Sequence, residues 1–205
     1  MQEIAEVVAS SITSFVAECP KDASLSSAPV PYFGSLVCVD SQDRNLKYLA
    51  VVYNITTAPS DGVHRPVAFG MTREFLQKEQ PQIFLLLQTQ IHAWIVGFIR
   101  NGKGFPSAPP YPPRIHEFVY FADKNDLAKF GESFDFLRLL SEVNMGSTDE
   151  IIAAAIREAY LINNNDHRVL LKAGQALTQI FKSDSQRLLA ILKRIQTVGI
   201  VEKYD

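Results

Sequence analysis

An α+β fold is predicted, with a small N-terminal β-barrel followed by an antiparallel helical subdomain. Three observations predict it: where the prolines stand, where the hydrophobic period changes, and where the turn signals fall. All eleven prolines of the 205-residue chain lie at or before Pro113. Proline fixes φ and removes a backbone donor, so it suits turns and strand edges and is excluded from helix interiors. From Asp126 onward the apolar period becomes that of a helix. Upstream, Val/Ile/Tyr-rich stretches alternate with Gly, Pro, Asn and Asp clusters. The division places the barrel in residues 1–122 and the helices in residues 123–205.

Within the first part, Ser11 to Val16 alternates well enough for a strand, and residues 21–31 read as a Ser/Ala/Pro loop. Tyr32 to Val39 predicts a second strand entered through Gly34, with Ser35, Val37 and Val39 on one face and Leu36 and Cys38 on the other. After a polar turn, Leu46 to Thr57 carries the residue types that suit a pleated surface best. Residues 58–64 form a loop, and Arg65 to Gly70 a further short strand. Thr72 is placed to cap a short helix ending near Glu79. Pro81 opens a second one over 81–89, since a missing N–H costs nothing in a first turn. Ile91 to Ile99 is an apolar run suited to a strand buried on both faces, ending at the Asn101-Gly102 turn signal. A Pro-rich stretch, Phe105 to Pro113, leads into a last strand, Ile115 to Phe121. About six strands with two small inserted helices suit a small barrel better than an open parallel sheet.

In the second part, Leu127, Phe130, Phe134, Leu137 and Leu140 mark the stripe of a first helix, broken at Met145-Gly146. Ser147 to Glu150 is a capping box opening a second. Asn163 to Asp166 is a polar turn before a third helix from His167 to Phe181. Ser183 to Gln186 caps a fourth, closed by Gly199. Short links make the four helices antiparallel neighbours.

Composition excludes several classes. The chain is 47% hydrophobic, with 20 Lys and Arg against 22 Asp and Glu and a formal net charge of −2. Each sign divides evenly between residues 1–125 and 126–205, so neither part is a basic footprint for nucleic acid or a polybasic membrane anchor. The first sixteen residues carry Glu3 and Glu6 and no basic n-region, which is unlike a secretory signal. A cytoplasmic location is expected. Cys19 and Cys38 are then expected as buried free thiols. The apolar runs Ile83–Leu87 and Ala93–Ile99 are too short to span a bilayer.

No catalytic constellation, no cofactor site and no metal site is expected. Asn101-Gly102-Lys103-Gly104 lacks the spacing of a phosphate loop, and Phe105-Pro106 forbids the helix that such a loop must precede, so a hairpin tip is expected. His64, His92, His116 and His167 lack ligand spacing, although His92 and His116 would approach one another if their strands paired. Ser10, Ser11, Ser14 and the two cysteines have no elbow and no adjacent base. Asp149 and Glu150 are accounted for by the dipole of a helix N-terminus. The segment Pro109-Pro110-Tyr111-Pro112-Pro113-Arg114 is a rigid connector. It also offers a stiff docking face with an aromatic ring and a guanidinium, so Pro109, Pro110, Tyr111 and Arg114 are the interface candidates.

The series Thr13-x-Phe15-Val16, Phe33-Gly34-Ser35-Leu36-Val37-x-Val39, Leu49-x-Val51-Val52-Tyr53-Asn54-Ile55 and Arg65-Pro66-Val67-Ala68 resembles the HerA–ATP synthase (HAS) barrel. The continuation Gly70-Met71-Thr72, Glu79-Gln80-Pro81-Gln82-Ile83-Phe84 and Pro112-Pro113-Arg114-Ile115-His116-x-Phe118-Val119-Tyr120 resembles stand-alone, largely cyanobacterial members that carry this barrel without an ATPase domain. The resemblance covers about residues 5–122 and none of the helical tail. It implies a barrel that organises assemblies and docks partners while doing no chemistry. Two functions follow as expectations. The first is a non-catalytic assembly or adaptor module that forms a homo-oligomer or binds a protein partner, a ring ATPase in trans among them, without direct nucleic-acid or membrane binding. The second is a small-molecule binder or enzyme with a site between barrel and bundle, using Arg65, His92, Arg114 and His116.

Overall fold

The computed structural model describes residues 2–20, 30–41, 44–59, 67–131, 133–143 and 148–198. Seven strands are β1 Glu3–Ser10, β2 Ser14–Glu18, β3 Leu36–Ser41, β4 Leu46–Pro59, β5 Leu87–Arg100, β6 Lys103–Phe105 and β7 Phe118–Phe121. Seven helices are α1 Arg73–Glu79, α2 Pro81–Leu85, α3 Lys124–Lys129, α4 Phe136–Ser141, α5 Thr148–Ile162, α6 His167–Ile180 and α7 Ser185–Val198. The strands pair antiparallel in the order β2-β1-β7-β3-β4-β5-β6, and β2 also pairs with β5. That last ladder closes six strands into a barrel and leaves β6 as a short flap on β5. Closure satisfies the backbone groups that an open sheet would leave exposed at its edges.

The barrel expected from the sequence is therefore present, with several different element boundaries. Ser11 to Thr13 is a turn between two strands instead of the start of one. The backbone N–H of Ser14 donates to Ser11 Oγ at 3.0 Å, a local bond that competes with the ladder. Tyr32 to Ser35 is likewise a turn: Gly34 sits at φ +90°, and Ser35 N donates to the Tyr32 carbonyl at 3.0 Å. No strand forms over residues 67–70, while Arg65 and Pro66 lie outside the described residues. Val67 and Phe69 are exposed there, and strand propensity without a neighbouring ladder does not make a strand. The second inserted helix ends at Leu85, because Leu87, Gln88 and Thr89 are taken into a ladder with Pro59, Ala58 and Thr57. The last strand begins at Phe118, since Glu117 N bonds back to the Arg114 carbonyl across a turn in which His116 has φ +73°.

Thr72 does cap α1, its side chain accepting from Phe75 N at 3.3 Å. The Asn101-Gly102 tip joins β5 to β6 with φ of +52° and +75°, the pair of left-handed residues that a type I′ hairpin turn requires.

Two cores share one wall. Val37, Val39, Tyr48, Ala50, Ile91 and Ala93 fill the barrel with Phe15 and Val119. The outward residues of the same strands, Leu36, Cys38, Leu49, Val51 and Val96, pack against Leu137, Ile152 and Ile156 of the helices. β3 over Leu36–Val39 and β4 over Tyr48–Val52 are buried on both faces, which is why those two stretches are continuously apolar. The stripe from Leu127 to Leu140 faces this second core, yet it belongs to two helices. Gly131 and Phe134, both at positive φ, interrupt it, so five helices follow the barrel among the described residues where four were expected. Asp166 and Asp184 cap α6 and α7 through Arg168 N and Arg187 N, each at 3.0 Å. Met145, Gly146, Ser147 and Gly199 lie outside the described residues.

Small residues set how closely the layers approach. A Cβ on Gly34 would lie 2.3 Å from Ala154 Cβ of α5, and one on Gly104 would lie 2.7 Å from the Lys129 carbonyl oxygen of α3. The run Ile151-Ile152-Ala153-Ala154-Ala155-Ile156 is buried on every side, making α5 the central helix. Its Asp149 and Glu150 do more than favour the helix dipole. Arg187 Nε donates to Asp149 Oδ1 at 2.8 Å, and Arg194 of α7 pairs with Glu150.

Candidate functional site

Lys103 stands in β6 beyond the Asn101-Gly102 turn, with its ammonium 5.7 Å from the Phe105 ring centroid. No helix follows it, so the backbone N–H groups of this tip do not converge as a phosphate loop's must. The histidines do not assemble. His92 lies on β5, whereas His116 lies in the turn before β7, a strand that is not a neighbour of β5 in the barrel. His92 Nε2 lies 3.3 Å from Thr56 Oγ1 and its ring is 6.0 Å from that of Tyr53. His116 Nδ1 contacts Glu6 Oε1 at 2.5 Å on the exposed face of β1. His167 opens α6 against the Tyr160 ring. His64 and Arg65 lie outside the described residues. Among the described residues no group of three or more His, Cys, Asp or Glu is placed to hold a metal ion, and no helix is long and apolar enough to cross a membrane.

Both cysteines are buried and free, as expected. Burial, helped by the neighbouring Glu18 charge, pushes the Cys19 thiol up to about 11. Burial and then the Asp126 carboxylate push Cys38 well above its ordinary value. Both therefore stay protonated at neutral pH, the form that is neither nucleophile nor metal ligand. Ser10 Oγ donates to the Pro113 carbonyl at 2.7 Å, and the Ser11 and Ser14 hydroxyls serve their own turn.

Asp126 forms the densest polar contact in the described residues. Its carboxylate accepts from Lys47 Nζ at 2.7 Å on each oxygen, and Lys129 Nζ lies 3.5 Å away. It also accepts from Asp123 N at 3.3 Å, while Asp123 accepts from Asp126 N at 2.8 Å, a reciprocal capping box. Cys38 Sγ completes the set at 3.7 Å. Sequence reading missed this group because Lys47 and Asp126 are far apart in the chain and only the α3–barrel contact joins them. The group clamps the helices to the barrel wall.

The Pro109–Arg114 segment is fastened at several points. Pro109 and Pro113 are buried. The Pro112 carbonyl accepts from Arg44 Nη1 at 2.8 Å and from Tyr48 Oη at 3.2 Å, and the backbone N–H of Arg114 donates to Glu117 Oε2 at 2.8 Å. Pro110, Tyr111 and Arg114 face solvent, Tyr111 being 56% exposed with the Arg44 guanidinium 5.0 Å over its ring. The four candidates thus divide: Pro109 anchors, and the other three are presented on a fixed backbone.

A second surface was not anticipated. The β4–β5 ladder continues beyond the last β2 pair, Glu18↔Gln90, through Thr57↔Thr89, Ala58↔Gln88 and Pro59↔Leu87, and α1 and α2 sit between its strands in the chain. No residue of α1 or α2 is buried. Val67, Phe69, Met71, Phe75, Leu85 and Leu86 are all exposed, Leu85 to 54% and Met71 to 52%. The signal was present in the sequence. Arg73-Glu74-Phe75-Leu76-Gln77-Lys78-Glu79 has adjacent apolar residues but no i, i+4 stripe, so α1 has no apolar face to bury against a core. No protein-family model and no curated protein matches the chain.

Proposed function

We propose that this chain is a non-catalytic assembly module: a HAS-type barrel that carries a helical subdomain and forms protein–protein contacts, with itself or with a protein partner. One observation carries the proposal. Six large apolar side chains in residues 67–86 are exposed, in and beside two helices that contain no buried residue. Clustered exposed apolar groups mark interaction sites, whereas single ones are ordinary. The protonated thiols and the separated histidines support a role without chemistry, and the resemblance to motor-protein barrels supports docking on a ring ATPase in trans. We place the protein in the cytoplasm, where two unpaired thiols are stable.

Light scattering on the purified full chain tests the reading directly, with assembly larger than one chain expected. Tyr111 and Arg114 belong to residue types enriched at interfaces. The Tyr111→Ala, Arg114→Ala double variant is expected to weaken assembly with a melting curve close to the parent's. ATP and GTP hydrolysis are expected at background. Mg²⁺-dependent turnover that survives repurification and vanishes on changing Lys103 would overturn the non-catalytic reading.

A further inference from the structure

We infer that the α1–α2 arm is a self-docking site, in which α1 lies antiparallel against α1 of a second copy about a two-fold axis level with Leu76. The inference rests on the assembly reading and names its surface and its partner. Glu74 and Lys78 are four residues apart, so they share one face of α1 about 40° apart around the axis. Both are exposed, and neither has an ion-pair or hydrogen-bond partner among the described residues. Phe75, exposed, borders that face. A two-fold axis at Leu76 carries position 74 of one copy to the level of position 78 of the other. Each Glu74 then meets the other copy's Lys78, and each Phe75 comes under cover.

This is the self-complementarity that an isologous contact demands, since the same patch must serve both subunits. Charge also selects the occupant. Residues 67–90 carry only Arg73, Lys78, Glu74 and Glu79, so two arms do not repel one another. Nor does the arm offer excess charge to a polyanion, an anionic bilayer or a strongly acidic or basic partner. Arg73 is engaged in the arm itself, its guanidinium 4.9 Å over the Phe84 ring, which holds α1 against α2 and keeps the Glu74–Lys78 face outward.

The test is a charge swap on the full chain, read by sedimentation equilibrium over a range of concentrations. The parent is expected to dimerise. Glu74→Lys and Lys78→Glu, each alone, set like charges opposite one another twice per dimer and should each weaken the dimer by about tenfold. The combined variant restores both pairs with reversed polarity and should return the affinity close to the parent's. Phe75→Asp should weaken the dimer without rescue. Circular dichroism on each variant checks that the chain remains folded. An oligomer indifferent to all four variants overturns the arm as its contact and leaves the assembly reading standing. A monomer at all concentrations overturns both the arm pairing and self-association.

Discussion

Replacing Asp126 with alanine removes the charge that four groups share. The Asp126 side chain is 2% exposed. Its partner Lys47 is only 13% exposed along the side chain, so the ammonium would be left buried and unpaired. Breaking a buried pair from one side costs about 3–5 kcal/mol, several times the value of a surface pair. The lost reciprocal cap of α3 adds to the same side, though not independently. In a chain of this size that loss corresponds to about 6–20 °C in melting temperature. Thermal and urea unfolding of the parent and variant, at low and high salt, would measure it. The destabilisation should persist at high salt, because a pair this deep is poorly screened. Lys47→Met combined with Asp126→Ala should recover part of the loss, since both charges are then gone. A loss below about 1 kcal/mol, or one that disappears in salt, would place the pair among ordinary surface bridges and refute the clamp.

Three further outcomes follow from particular contacts. Gly104→Ala sets a Cβ 2.7 Å from the Lys129 carbonyl oxygen and 2.8 Å from Phe130 Cγ, and should cost about 1–3 kcal/mol in urea unfolding, because backbone cannot yield as a flexible side chain does. Glu158 on α5 is held above its usual range by burial, partly offset by the hydrogen bond from Tyr32. A raised folded-state value gives stability that is complete in acid and lost as pH rises through it. Glu158→Gln should therefore melt like the parent near pH 4 and higher than the parent at pH 8, and a gap that opens in acid instead would overturn the assignment. An aromatic disulfide reagent at pH 8 should label neither Cys19 nor Cys38 in the folded protein and both after unfolding, by absorbance of the released thiolate.

Legibility followed the range of the interactions. Thr72 as a cap, Asn101-Gly102 as a hairpin tip and Asp166 as a helix start were readable because each is a bond within three residues or a φ that one residue type tolerates. The alternation of Leu36, Val37, Cys38 and Val39 was readable because a strand's period of two assigns faces without knowledge of the neighbours. The same local rules failed where tertiary partners outvoted them. Leu87 to Thr89 looked helical beside Pro81 and became strand because β4 supplied a ladder. Val67 and Phe69 looked like strand and found no neighbour.

What the sequence by itself determined is the division into a turn-rich barrel and a proline-free helical part, together with the absence of phosphate-loop spacing. Proline's fixed φ and the two hydrophobic periods act locally, so they need no folded context. Only the tertiary structure decided that β2 meets β5 to close the barrel, that Lys47 reaches Asp126, and that no residue of α1 or α2 is fully buried. Each of those is a meeting of residues far apart in the chain, or the failure of such a meeting. Composition and periodicity say which residues want burial, and only the packed fold says which of them obtain it.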